Sequence, residues 1–104
     1  MSNHIIARVE DQNGAVLRER IVPLVHLNGT GKAGLQSQYR KAADALYIAL
    51  DALADAAPNM RDYYLYEDAG AAFRRAQAEH LENVRMVEAV IADLAAVYDA
   101  LMDQ

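Results

Sequence analysis

The sequence predicts an α+β fold that is mostly helical: an N-terminal β-hairpin followed by a long antiparallel helical hairpin, assembled as an oligomer. Three observations predict it. The first twenty-odd residues alternate apolar and polar side chains on either side of an Asn-Gly turn. Beyond Lys32, two long stretches repeat apolar residues at spacings of three and four, and Pro58-Asn59 separates them. A chain of 104 residues laid out this way has little room for a core of its own, and helical hairpins of this size complete theirs by oligomerising. A single domain is expected over 1–104, with the β-hairpin and an extended segment over 1–27 and the helical hairpin over 31–104.

The first strand is predicted from Ile5 to Glu10. Asp11-Gln12-Asn13-Gly14 is the turn, since Asn and Gly both tolerate positive φ. The second strand is predicted from Ala15 to Val22. It places Leu17, Glu19 and Ile21 on one face and Val16, Arg18, Arg20 and Val22 on the other. Pro23 ends it, and Leu24 to Leu27 continue extended. A two-stranded ribbon is not stable alone, so it must pack on a helix or on another chain.

Thr30 is the expected N-cap of the first helix, its hydroxyl accepting an orphan N–H. The capping box is incomplete, because Ala33 stands where Glu or Gln would reach back. The helix is predicted to run to about Ala56 with Leu35, Tyr39, Ala42, Leu46, Ala49, Leu53 and Ala56 along one face. Asn59 to Asp68 form a loop. The second helix is predicted from Asp68 or Ala69 nearly to the end, with a seam of Phe73, Leu81, Val84, Val87, Ile91, Leu94, Tyr98 and Leu101. It is longer than the first helix, so one end is expected to overhang and meet a partner.

Composition excludes several classes. A net charge of −5 argues against a general binder of DNA or RNA duplexes, which needs a basic surface. A small anion held in a local basic pocket remains compatible with it. The absence of cysteine rules out disulfides and thiolate chemistry and fits a reducing cytoplasm. No leader peptide is expected at Met1-Ser2-Asn3-His4, and no membrane span, because no apolar run approaches about 18 residues.

The richest polar segment is His26-Leu27-Asn28-Gly29-Thr30-Gly31-Lys32, at the entry to the first helix. Helix N-termini attract anions, because the first N–H groups are unpaired and the dipole is positive there. A strand, Gly-Thr-Gly-Lys and a helix follow the order of a phosphate-binding loop, but His26 and Ala33 replace the glycine and the hydroxyl residue that such a loop needs. A nucleotidase is therefore not expected. Two readings remain: a well-capped helix start with glycines for tight backbone turning, or a non-catalytic anion site. In the second reading Gly29, Thr30, Gly31 and Lys32 hold a phosphate, with Asn28 and His26 on a base or ribose.

Arg61-Asp62-Tyr63-Tyr64-Leu65-Tyr66, with Arg74 and Arg75 nearby, is a second candidate. Tyrosine faces stack on bases and arginine pairs bidentately with phosphate. The plainer reading is a loop that plugs the apolar end of the hairpin. His4, His26 and His80 form no His-x-x-x-His pair, and Glu79, His80 and Glu82 lack the Glu-x-x-His repeats of di-iron bundles. No metal, cofactor or catalytic residue is expected. Asp44, Asp51 and Asp55 are expected on a solvated face of the first helix.

His26-Leu-Asn-Gly-Thr30, Gln38-Tyr39, the Ala-Leu repeats and Pro58-Asn59-x-Arg61-Asp62-Tyr63-Tyr64 resemble a group of small phage and prophage proteins. That likeness implies the same turn, a helical hairpin and an N-terminal extended segment, and no particular activity. A Gly-Thr turn leading into an alanine-rich helical hairpin is also similar in plan to phage anti-CBASS and anti-Thoeris sponge proteins. The chain departs from them at the end of the second helix. This second resemblance implies a non-enzymatic oligomer, in the cytoplasm of an infected bacterial host, that sequesters a cyclic nucleotide or ADP-ribose-type immune signal at subunit interfaces.

The turn and the Arg/Tyr loop sit at opposite ends of the first helix, roughly 36 Å apart at about 1.5 Å per residue. A shared ligand would need His26, Asn28, Gly29, Thr30, Gly31 and Lys32 from one chain and Arg61, Tyr63 and Tyr64 from a neighbour. The alternatives are an inhibitor or adaptor acting through an acidic helical face, or a virion assembly protein.

Overall fold

The chain passes in order through β1 (Ile6–Glu10), β2 (Val16–Ile21), α1 (Lys32–Asp55), a 3₁₀ turn (Met60–Asp62) and α2 (Ala69–Met102). This is a computed structural model that describes residues 5–104. The expected β-hairpin and the two long helices are both present. His4, named above as a candidate, lies outside the described residues.

The strands pair antiparallel, with Ile6 opposite Ile21 and Val9 opposite Arg18. The turn closes by a different device from the expected Asn-Gly pair. Asp11 Oδ1 accepts from the N–H groups of Asn13 (2.8 Å) and Ala15 (3.0 Å). Among the described residues only Gly14 has positive φ, at 82°. Asp11 thus anchors the turn through its carboxylate and Gly14 takes the left-handed position. The register then slips: Glu10 pairs with Val16, so Leu17 is the extra residue of a β-bulge. Both Val16 and Leu17 are exposed as a result.

The hairpin lies on α2 and not on α1. Ala7, Val22, Val97 and Leu101 form the buried cluster, with Leu35 and Tyr39 of α1 packed against its edge. Arg18 and Arg20 share the inner side of the hairpin with Val22. Arg18 Nε donates to Asp93 Oδ1 at 2.7 Å and its Nη2 to the Ala89 carbonyl at 3.2 Å. Arg20 Nε donates to Asp93 Oδ2 at 3.0 Å. One carboxylate therefore clamps two arginines of β2 onto the face of α2, and the apolar Ile21 is left outside, 63% exposed.

Helix α1 is capped differently from expectation. Its N-cap is Gly31, in an extended conformation, and no side chain caps it. Thr30 stands one residue too early to reach the first-turn N–H groups. Its methyl packs on Gly34 instead, where an added Cβ would lie 3.0 Å away. The face toward α2 is Leu35, Tyr39, Ala43, Leu46, Leu50 and Leu53, all half-buried, while Ala42, Ala49 and Ala56 of the predicted stripe are exposed. A stripe of alternate four and three spacings drifts around an α-helix, and the larger Leu50 takes the seam in place of Ala49. None of α1 is buried.

Asn59 Oδ1 accepts from Arg61 N at 3.1 Å and starts the 3₁₀ turn. Asp68 Oδ1 accepts from Ala71 N at 3.0 Å and caps α2. The α2 seam holds as predicted except at one place. His80 is half-buried at the seam position, and Leu81 is exposed. Leu81 stands about 60° around from Val84 at 3.6 residues per turn, on the open side.

Helix α2 has 34 residues against 24 for α1, an excess of about 15 Å. The overhang falls at its N-terminal end, where the 3₁₀ turn and its tyrosines pack. The whole measures 62 × 27 × 21 Å. Among the described residues no helix is long and apolar enough to cross a membrane.

Candidate functional site

The residues singled out from the sequence fall into two groups at opposite ends of α1. At the first, the chain leaves the hairpin through Pro23 and bends at His26 to Gly29. Gly29 N donates to the His26 carbonyl at 3.3 Å, and Asn28 N donates to His26 Nδ1 at 3.3 Å. The imidazole folds over Gly29 so closely that a Cβ there would lie 2.5 Å from Nε2. A side chain at position 29 would displace the exposed imidazole of His26, so glycine there lets the ring lie over the turn. His26, Asn28, Gly29, Thr30 and Gly31 are all exposed. With no side-chain cap on α1, the N–H groups of its first turn face the same solvent as these side chains.

Lys32 is placed otherwise than an anion clamp would be. Its Nζ donates to the carbonyls of Met102 (2.9 Å) and Gln104 (3.3 Å) at the end of α2. An ammonium suits that position, because the last carbonyls of a helix are unpaired and the dipole is negative there. Lys32 therefore joins the start of α1 to the end of α2. Gln104 completes the tie: its side-chain carbonyl accepts from Val25 N at 2.9 Å and its amide donates to the Pro23 carbonyl at 2.7 Å. Asp93, Arg18, Arg20 and Gln104 were not singled out from the sequence. A signal for Asp93 was present, since it and Glu88 are the only charged residues between Met86 and Tyr98.

The second group is in the loop before α2. Tyr63 stacks on Tyr66, with centroids 6.4 Å apart, and tilts onto Phe73 at 6.0 Å. Tyr63 is half-buried against the overhang of α2, while Tyr64, Leu65 and Tyr66 are exposed. Tyr64 and Arg61 project into solvent. Tyr63, Tyr66, Arg75 and Glu79 line a cleft of about 500 Å³. Arg75 and Glu79 approach to only 3.7 Å with both side chains largely exposed, so the pair contributes little.

A third feature is apolar. Tyr39, Ala43, Leu94, Ala95 and Tyr98, with Arg40 and Asp99 at the rim, line a cleft of about 210 Å³ between the helices. A further cleft holds Tyr47, Leu50, Ile91 and Ala92. Both lie in the middle of the hairpin, away from the polar turn. Among the described residues no three His, Asp or Glu side chains gather to hold a metal ion. His80 sits alone on the seam, with Glu79 and Glu82 exposed beside it.

The arrangement can hold an anion at the bare start of α1 and can offer tyrosine faces and a guanidinium at the far end. It does not bring these together within one chain. Comparison with protein families, with curated proteins and with solved structures finds no match to this chain.

Proposed function

We propose that this chain is a non-enzymatic binding protein that sequesters a small anionic, nucleotide-like signal at a junction between two copies. The phage anti-defence role is the one implied by its resemblance to sponge proteins. The observation that carries the reading is the uncapped start of α1, where first-turn N–H groups open to solvent beside His26, Asn28 and Thr30. Such a terminus binds phosphate through backbone donors alone. Arg61 and Tyr64 of a neighbouring chain would supply the second wall, with Tyr63 behind them. Sequestration needs no general base, and the reading assigns none.

Calorimetry of the full chain against cyclic nucleotides and ADP-ribose isomers tests it. Heat of binding is expected with at least one of them, weakened several-fold by Gly31→Pro, which narrows access to the turn. Lys32→Ala is expected to leave binding unchanged, because its ammonium is engaged by the carbonyls of Met102 and Gln104 and the phosphate is held by backbone donors. The absence of heat across the panel overturns the reading.

A second reading has its own support. Asp44, Asp51 and Asp55 are all exposed, and among the described residues none makes an ion pair within the chain. An acidic face of this kind suits an inhibitor or adaptor that docks on a basic host protein. Under that reading, neutralising Asp44 and Asp51 abolishes activity in cells and changes in the turn are silent. A virion assembly role would instead show as co-sedimentation with purified particles.

A further inference from the structure

We infer that the cleft between the tyrosine turn and α2 is a nucleobase site, and that the base it fits is guanine. The cleft encloses about 500 Å³ and is lined by Tyr63, Tyr66, Ala72, Arg75, Ala76 and Glu79. That volume holds a nucleoside and lies within the range of small-molecule sites.

The backbone fixes the aromatic wall. Tyr63 N donates to the Met60 carbonyl at 3.0 Å, and Tyr66 N to the Tyr63 carbonyl at 3.1 Å. These successive turns set the two rings side by side, 20° from parallel with centroids 6.4 Å apart. Phe73 of α2 backs Tyr63. Tyr66 is 63% exposed, so its ring keeps surface open for a base to stack on. Ala72 and Ala76 form the floor, and their small side chains let a flat ring lie close to the helix.

The charged wall selects the base. Arg75 and Glu79 stand one helical turn apart, with Nε 3.7 Å from Oε2. Their contact is loose and both side chains are largely exposed, so turning them to a ligand costs little. Together they carry no net charge, which suits a neutral ring and not a free phosphate. They present a fork of donors beside a pair of acceptors. Guanine has the matching edge. Its N7 and O6 accept side by side, and arginine takes them bidentately. Its N1–H and 2-amino group donate next to them, one to each oxygen of a carboxylate. Adenine, cytosine and uracil each lack at least one of these adjacent pairs.

The site lies within one chain, and it does not rest on the phosphate-binding reading of the α1 terminus. Guanosine carries no phosphate and tests the cleft alone. Calorimetry is expected to show it binding the full chain with a dissociation constant below about 1 mM. Inosine, which lacks the 2-amino group, should bind several-fold more weakly, and adenosine and cytidine about tenfold more weakly. Tyr66→Ala should weaken guanosine about tenfold by removing a stacking face, and Tyr66→Phe should not. Arg75→Ala and Glu79→Gln should each weaken it about tenfold and erase the preference over adenosine. Arg85→Ala, further along α2, should change nothing. All of these side chains are exposed, so circular dichroism should match the wild type throughout. No binding of guanosine, equal binding of adenosine or cytidine, or affinity that survives Tyr66→Ala or Glu79→Gln overturns the inference. Guanosine that binds while no phosphate-bearing nucleotide gains affinity over its nucleoside overturns the phosphate reading alone.

Discussion

Residues 86–98 of α2 and residues 42–54 of α1 are close in composition and opposite in environment. Each is thirteen residues long with two carboxylates and otherwise apolar side chains: Glu88 and Asp93 in one, Asp44 and Asp51 in the other. In α2 the stretch contains Ile91 and Val97, both buried, and Asp93 is held by Arg18 and Arg20. In α1 nothing is buried and both carboxylates face solvent. The difference is the β-hairpin, which adds a second covering layer to α2 and none to α1. Apolar composition marks where a helix needs covering. The neighbouring element decides whether it is covered within the chain.

Three substitutions break or sharpen that contrast, each read as a urea midpoint at one fixed protein concentration. Leu101→Ala has the largest expected effect. Leu101 is fully buried where the hairpin and both helices meet, so its removal should cost about 3 kcal/mol. A loss below about 1 kcal/mol would mean that this end is not the core.

Asp93→Ala comes next, at about 1 kcal/mol, because it removes the carboxylate shared by Arg18 and Arg20, both of them partly open to solvent. Asp93→Asn should recover only part of that. Near-neutral behaviour of both would show that the hairpin is held by Ala7, Val9 and Val22 alone.

Ile48→Ala is the smallest. Ile48 is 71% exposed, so the change should cost less than about 0.5 kcal/mol. A loss above about 1 kcal/mol would place Ile48 in an intrachain core.

Much of the fold is legible because it depends on local chemistry. Periodicity located both helices, Pro58-Asn59 located their break, and Asp68 marked the start of α2. The alternation on β2 correctly separated Arg18, Arg20 and Val22 from Glu19 and Ile21. The misplacements have local causes too. Thr30 lost the cap because Gly31 stands between it and the helix. Leu81 gave way to His80 because successive short spacings drift around the helix. Asn13 did not need positive φ because Asp11 supplied the turn's hydrogen bonds.

The candidate site was less legible. The sequence marks Lys32 as a free cation beside a glycine turn, and its contacts with Met102 and Gln104 lie seventy residues further along the chain. Tyr63 is likewise fixed in part by Phe73 of α2, ten residues further along the chain.

The helices, the strands, their order and the polar character of the turn at His26 to Lys32 can be read from the order of the residues. Those follow from backbone propensity, apolar spacing and glycine placement over a few neighbouring residues. That the arginine face of β2 turns inward emerges when the hairpin packs on α2. A single carboxylate, Asp93, compensates two cations there, and the apolar Ile21 is left outside. Only the tertiary structure assigned Lys32 to the carbonyl end of α2 and left α1 uncovered. Each of these depends on which distant group comes within a few ångströms, and a spacing pattern within one element carries no information about that.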